Sequence, residues 1–220
     1  MEWRKVSSSQ EVVAGMLDII TSHKGKKILW LVPGGSNIAI AAEVSKALPE
    51  EIFDNLTVAL TDERYGTPGH VDSNYRQLYE AGFQINKEHF TDILESNASF
   101  IDTIVSTNLR LQRFFISNEV VIGFFGMGAD GHIAGILPDS PTTQEYTAWY
   151  AGYDAGNFKR MTLTPFAFSQ INIAIVSAFG AEKRKALDML HTHNVPIEKQ
   201  PAQIVKQIAK ARIYNDYIGD

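Results

Sequence analysis

The chain has 220 residues, 45% hydrophobic and 20% charged, an ordinary globular composition long enough to bury one sizeable core. A net charge of −5 with scattered basic residues argues against a nucleic-acid partner, and the absence of cysteine excludes disulfides, thiolate metal sites and thiol nucleophiles. No apolar run approaches the roughly 20 residues that span a bilayer, and residues 1–10 lack the apolar stretch of a signal peptide, so no membrane partner and a cytoplasmic location are expected, with one domain over residues 1–220.

In chain order, Ser8 to Glu11 (SSQE) has the spacing of a capping box, and Val12, Val13, Met16, Ile19 and Ile20 recur at helical spacing, predicting a helix over about residues 9–23. Residues 27–32 (KILWLV) form a buried-strand candidate closed by Pro33-Gly34-Gly35, before a helix-like stretch over residues 36–48. Further strand candidates are residues 56–61, 120–125 and 171–177, the last leading to a helix-like AEKRKALDMLH. Apolar runs separated by helical patterns imply parallel strands with crossover helices, because a strand buried on both faces loses polar alternation. The fold class is α/β, a mostly parallel sheet flanked by helices. The polar, glycine-containing segments GGSN, TDERYG, GMGADGH and FGAEK all follow strand ends, where open parallel sheets bind ligands, and are expected to meet in one cleft.

Within residues 33–37 (PGGSN), glycines permit close backbone approach and a helix start offers free N–H groups, which makes Gly34, Gly35 and Ser36 a candidate anion site. The competing reading is a tight turn with Ser36 as an ordinary N-cap. Asp62-Glu63-Arg64 directly follows a strand, either as working charges or as a solvated loop with an internal ion pair. Asp72-Ser73-Asn74 reads as a helix start, with capping its leading explanation.

Residues 126–131 (GMGADG) match the dinucleotide pattern G-x-G-x-x-G, but Pro138 and Pro141 interrupt the helix that pattern should open. No dinucleotide cofactor is expected. His132, on a glycine turn at a strand end, is hard to explain as packing, and an ordinary pKa of about 6.5 suits it to accept a proton. Asp130 is placed to orient the ring or to meet a substrate hydroxyl. No HxxxH or HExxH occurs, and His191 and His193 have no evident third ligand, so no metal is expected. Lys183, near a helix start where the macrodipole disfavours a cation, is a candidate anion contact; a solvated surface lysine is the alternative.

Taken in order, GGSN at Gly34, TDERYG at Thr61, DSN at Asp72, GMGADGHIAGILP at Gly126, KRMTLTP at Lys159 and GAEK at Gly180 resemble the family of 6-phosphogluconolactonases and glucosamine-6-phosphate deaminases. The resemblance implies a Rossmann-like fold of the sugar-phosphate isomerase/deaminase type. It also implies a small-molecule sugar-phosphate substrate, hydrolysis of 6-phospho-D-glucono-1,5-lactone, no cofactor, and a monomer or small homo-oligomer.

Asp62-Glu63-Arg64 and Leu137 fit the lactonase branch, since deaminases usually carry an aromatic in place of Arg64 and a catalytic glutamate in place of Leu137. Deamination of an amino-sugar phosphate is the first alternative; a sensing domain is the second, and only about 25 residues precede the first predicted strand where a helix-turn-helix would stand. By the same resemblance His132, Asp130 and Arg64 are the catalytic candidates, with Arg64 on either the oxyanion or the phosphate. Gly34, Gly35, Ser36, Asp62, Arg160 and Lys183 are the substrate- and phosphate-binding candidates. Asn37, Ile133 and Gly135 depart from the common Thr, Thr and Ser of the lactonases.

Overall fold

The structure, a computed structural model, describes residues 1–219. Its strands are β1 (Glu2–Lys5), β2 (Ile28–Val32), β3 (Leu56–Leu60), β4 (Asp62–Arg64), β5 (Val120–Gly126), β6 (Tyr150–Asp154), β7 (Lys159–Leu163), β8 (Ile173–Ala178) and β9 (Lys210–Asn215). The α-helices are α1 (Ser9–Thr21), α2 (Ile38–Ala47), α3 (Glu50–Phe53), α4 (Asn74–Glu80), α5 (Phe100–Ser117), α6 (Pro165–Phe168) and α7 (Arg184–Thr192).

Six strands form an all-parallel sheet in the order β1-β9-β8-β5-β2-β3, matching the expected class. The four apolar runs occupy its interior and one edge. Alternation explains why they read as continuous: Ile28, Trp30 and Val32 of β2 pack on one face with residues of α1 and α2, while Leu29 and Leu31 pack on the other with residues of α5 and α7. From β2 the chain runs outward to β3 and then returns to place β5 on the other side of β2. The order therefore reverses between β2 and β5, and the crevice beyond their carboxyl ends is the switch point of the sheet.

A second, antiparallel sheet in the order β4-β7-β6 has no counterpart in the sequence reading. At Thr61 the chain leaves β3 and crosses into β4; Thr61 N–H still donates to Val32, while its carbonyl accepts from Leu163 of β7. Met161, Leu163 and Tyr150 of this sheet share one apolar core with Leu31 and Val176 of the large sheet.

Three local expectations need correction. The predicted capping box does not close: the Ser8 side chain makes no cap hydrogen bond, and Glu11 Oε1 instead accepts from the N–H and Oγ of Ser7 at 2.9 and 3.2 Å. Ser36 is not an N-cap, because a 3-10 turn over Gly35–Asn37 precedes α2. The last helix likewise begins in a 3-10 turn, Ala181–Lys183, ahead of α7. In contrast, Ser73 does cap α4, its Oγ accepting from Arg76 N–H at 3.2 Å.

Asn37 is buried, and its Nδ2 donates to the carbonyls of Phe125 and Ser177, both at 3.1 Å, clipping the ends of β5 and β8 together. A threonine here has one donor for two carbonyls. Asn37→Ala should cost about 1–3 kcal/mol, the scale for stranding buried acceptors, with Asn37→Thr recovering part of it. Urea denaturation of the three proteins measures the order.

Candidate active site

A cleft of about 360 Å³ opens beyond the carboxyl ends of β2 and β5. Gly34, Gly35 and Ser36 line it from the turn after β2, Asp62 and Arg64 from β4, and Gly128 and His132 from the loop after β5. Arg160 of β7 and Glu182 and Lys183 of the turn after β8 complete it. Of the nine candidate site residues, only Asp130 does not line the cleft; it reaches the site through His132.

The loop after β5 opens no helix. Met127 and Ile136 bridge to Ile133, and the carbonyl of His132 accepts from Gly128 N–H at 3.0 Å, folding the segment back over itself. Gly128 makes this possible: a Cβ there would lie 2.2 Å from the His132 ring. Asp130 Oδ1 pairs with His132 Nδ1 at 2.6 Å and accepts the His132 backbone N–H at 3.1 Å. With Nδ1 bonded to a carboxylate, the neutral imidazole carries its proton there and leaves the Nε2 lone pair free. The hydrogen bond from His132 holds the Asp130 carboxyl below the usual carboxylate range, against the opposing effect of burial.

The part of the lining contributed by β4, β7 and the turn after β8 carries the cations. Strand periodicity turns Asp62 and Arg64 toward the cleft and Glu63 away from it. In register across the antiparallel ladder, Arg64 faces Arg160. Like charges directly opposite destabilise a sheet. Among the described residues neither arginine has an ion-pair partner, and the Nε of each is buried without a hydrogen bond. Arg64 Nη1 donates only to neutral acceptors, Asp72 O at 2.8 Å and Asn74 Oδ1 at 3.2 Å. Burial lowers the half-buried Lys183 ammonium below the ordinary lysine range, partly offset by Glu182 and Asp216. This part of the lining is thus complementary to a compact anion.

Two residues that stood in the sequence reading only as members of charged or capping segments, and not as site candidates, hold the site together. Glu63 is 1% exposed, and its carboxylate accepts four hydrogen bonds: Oε1 from the N–H groups of Arg64 and Asn74, Oε2 from Tyr75 N–H and Ser73 Oγ. It ties β4 to the start of α4. The other is Asn74, buried between Asp62 and Arg64. Period-two alternation in DER was the available signal for Glu63. The departures Ile133 and Gly135 face away from the cleft: Ile133 is in the core, and Gly135 bonds Thr162 and Tyr153 through its backbone.

Among the described residues no group of three or more His, Asp or Glu side chains is arranged to hold a metal ion. His191 packs edge-on against Trp3, with ring centroids 4.7 Å apart. Among the described residues no helix is long and apolar enough to cross a membrane.

Sheet order and cleft together define a Rossmann-like α/β protein with a cationic crevice at its switch point. The chain belongs to the family of glucosamine-6-phosphate isomerases and 6-phosphogluconolactonases, whose family model matches residues 6–214. It is similar to a 6-phosphogluconolactonase of Pseudomonas aeruginosa, 31% identical over 135 residues, a match spanning 59% of this chain and about half, 53%, of that relative. A Xylella fastidiosa 6-phosphogluconolactonase is 28% identical over 199 residues, covering 86% of this chain and 80% of the relative. Among solved structures, 6-phosphogluconolactonases of Shewanella baltica and Trypanosoma brucei share the fold with TM-scores of 0.81 and 0.78. Their identities are 16% and 19%, with coverage of 98% and 97% of this chain and 97% and 94% of theirs.

Burial pushes the Glu63 carboxyl up to about 7, against the backbone hydrogen bonds of Asn74, Tyr75 and Arg64 that favour ionisation. A folded pKa above the unfolded value of 4.5 means that the folded state holds the proton longer. This contribution to stability is therefore complete below about pH 4.5 and is lost as pH rises through about 7. Melting curves should show the wild type losing about 3 kcal/mol over that window relative to Glu63→Gln, in which the slope is absent. Parallel pH profiles would remove the assignment.

Proposed function

We propose that this protein hydrolyses 6-phospho-D-glucono-1,5-lactone to 6-phosphogluconate. The observation that carries the reading is the meeting of an Asp130–His132 base and a cross-strand Arg64–Arg160 pair at one cleft. The family and the lactonase relatives support it, as does Leu137 at the position where deaminases carry a glutamate.

The phosphate anchors between Arg64 and Arg160, with Lys183 and the backbone of Gly34, Gly35 and Ser36 completing its shell. A dianion between two guanidiniums removes their mutual repulsion, which favours the phosphate over the oxyanion as the partner of Arg64. At the other end His132 Nε2 takes a proton from water as the water oxygen attacks the lactone carbonyl carbon. The tetrahedral intermediate collapses by breaking the bond to the ring oxygen, which takes the proton back from the imidazolium. Asp130 holds the ring and balances its charge. No external oxidant, metal or cofactor is required for this sequence of bonds.

His132→Ala should lower kcat by about 10²-fold or more, the scale of a general base, in a coupled assay on fresh lactone corrected for spontaneous hydrolysis. Wild-type turnover in that variant would remove His132 from the chemistry. Lys183→Ala should raise KM about tenfold for the phosphorylated lactone and leave unphosphorylated gluconolactone unchanged. Equal effects on both substrates would defeat the anchor assignment. Ammonia release from glucosamine 6-phosphate by the wild type, without lactone hydrolysis, would replace the lactonase reading with the deaminase one.

A further inference from the structure

Arg64 carries its charge into the cleft without a carboxylate to hold it, which raises the question of what fixes its direction. The Asp72 carbonyl accepts from Arg64 Nη1 at 2.8 Å, and the side chain that joins it as an acceptor does not line the cleft. Asn74, the first residue of α4, is fully buried. Its Oδ1 accepts from Arg64 Nη1 at 3.2 Å, and its Nδ2 donates to the carbonyl of Asp62 at 2.9 Å and to Asp62 Oδ2 at 3.4 Å. This orientation of the amide is the one its neighbours permit, since the flipped form would set NH₂ against a guanidinium and oxygen against two acceptors. The Asn74 backbone is pinned in turn by Glu63 Oε1 at 2.7 Å.

The same amide also supports the turn after β2. A Cβ on Gly34 would lie 2.2 Å from Asn74 Oδ1 and 2.3 Å from Cγ and Nδ2, so the glycine backbone rests directly on the Asn74 side chain. One neutral group thus touches the Gly34 turn, Asp62 and Arg64, the three cleft features contributed by β2 and β4.

We propose that Asn74 is a positioning residue that fixes the Arg64 guanidinium in the cleft while leaving its full charge available to an anion. An aspartate or glutamate in its place would hold the arginine equally well and cancel the charge. A neutral amide orients without neutralising. Capping does not account for Asn74, because Ser73 already caps α4.

The proposal rests on the phosphate reading of the cleft for one of its two tests and is independent of it for the other. In the first, inorganic phosphate is titrated calorimetrically into wild type, Asn74→Ala, Arg64→Met and the double variant. Asn74→Ala should weaken binding about tenfold when Arg64 is present and less than about twofold in the Arg64→Met background, the signature of an effect transmitted through Arg64. Equal losses in both backgrounds, or no loss in either, would overturn the proposal.

The second test uses no ligand: NMR of the Arg64 guanidinium should show hindered rotation in the wild type and fast averaging in Asn74→Ala. Unchanged rotation overturns positioning even where phosphate binds. Failure of all four proteins to bind phosphate overturns the reading of the cleft, and the NMR result still decides the role of Asn74. If Asn74→Ala does not fold, Asn74→Ser removes the same contacts with a smaller void and is read in both experiments.

Discussion

The cleft depends on two guanidinium groups being kept side by side across an antiparallel ladder with no counter-charge between them. Arg64 and Arg160 gain nothing from each other, so their placement is maintained by the surrounding structure. The neighbouring cross-strand pair does that work: Met161 sits in the apolar core, and Glu63, facing away from the cleft, gathers three donors from the start of α4 and the N–H of Arg64. The charge that would neutralise Arg64 is present one residue away, and strand alternation turns it to the opposite face.

The other walls are arranged on the same logic of separation. Asp130 pairs with the His132 ring, and Asp62 Oδ1 accepts from Thr61 Oγ1 at 2.8 Å; among the described residues neither forms an ion pair with an arginine. Glu182 is a carboxylate on the cleft rim adjacent to Lys183, whose desolvation it partly offsets. The cleft lining carries three cations, Arg64, Arg160 and Lys183, against two carboxylates, Asp62 and Glu182.

How much of this was legible follows from which residues carry each element. The apolar strands β2, β3, β5 and β8 announce themselves, and so do the glycine segments at their ends. β1 and β9 do not, because Glu2, Arg4 and Lys5 at the sheet edge and Lys210 and Arg212 beside it break the apolar pattern, as edge strands commonly do. α5 was hidden by inversion: its buried face is Thr103, Thr107, Leu111 and Phe115, while Ile101, Val105, Leu109 and Ile116 are exposed, so polarity points the wrong way. The small sheet was missed because β4 and β7 direct charged residues at a cleft; their alternation is that of a half-buried strand only once the polar face is known to be a site.

The departures from the common lactonase pattern have a shared character. Asn37 clips strand ends, Ile133 fills the core and Gly135 bonds through its backbone; none of the three side chains lines the cleft. Substitutions that could have altered ligand contacts altered the scaffold behind them instead. The cleft-facing set, from Gly34 through Arg64, His132 and Arg160 to Lys183, is the part of the sequence in which the family pattern is kept. The buried amide of Asn74, touching the Gly34 turn, Asp62 and Arg64 together, is a point at which a change in the scaffold reaches several cleft residues at once.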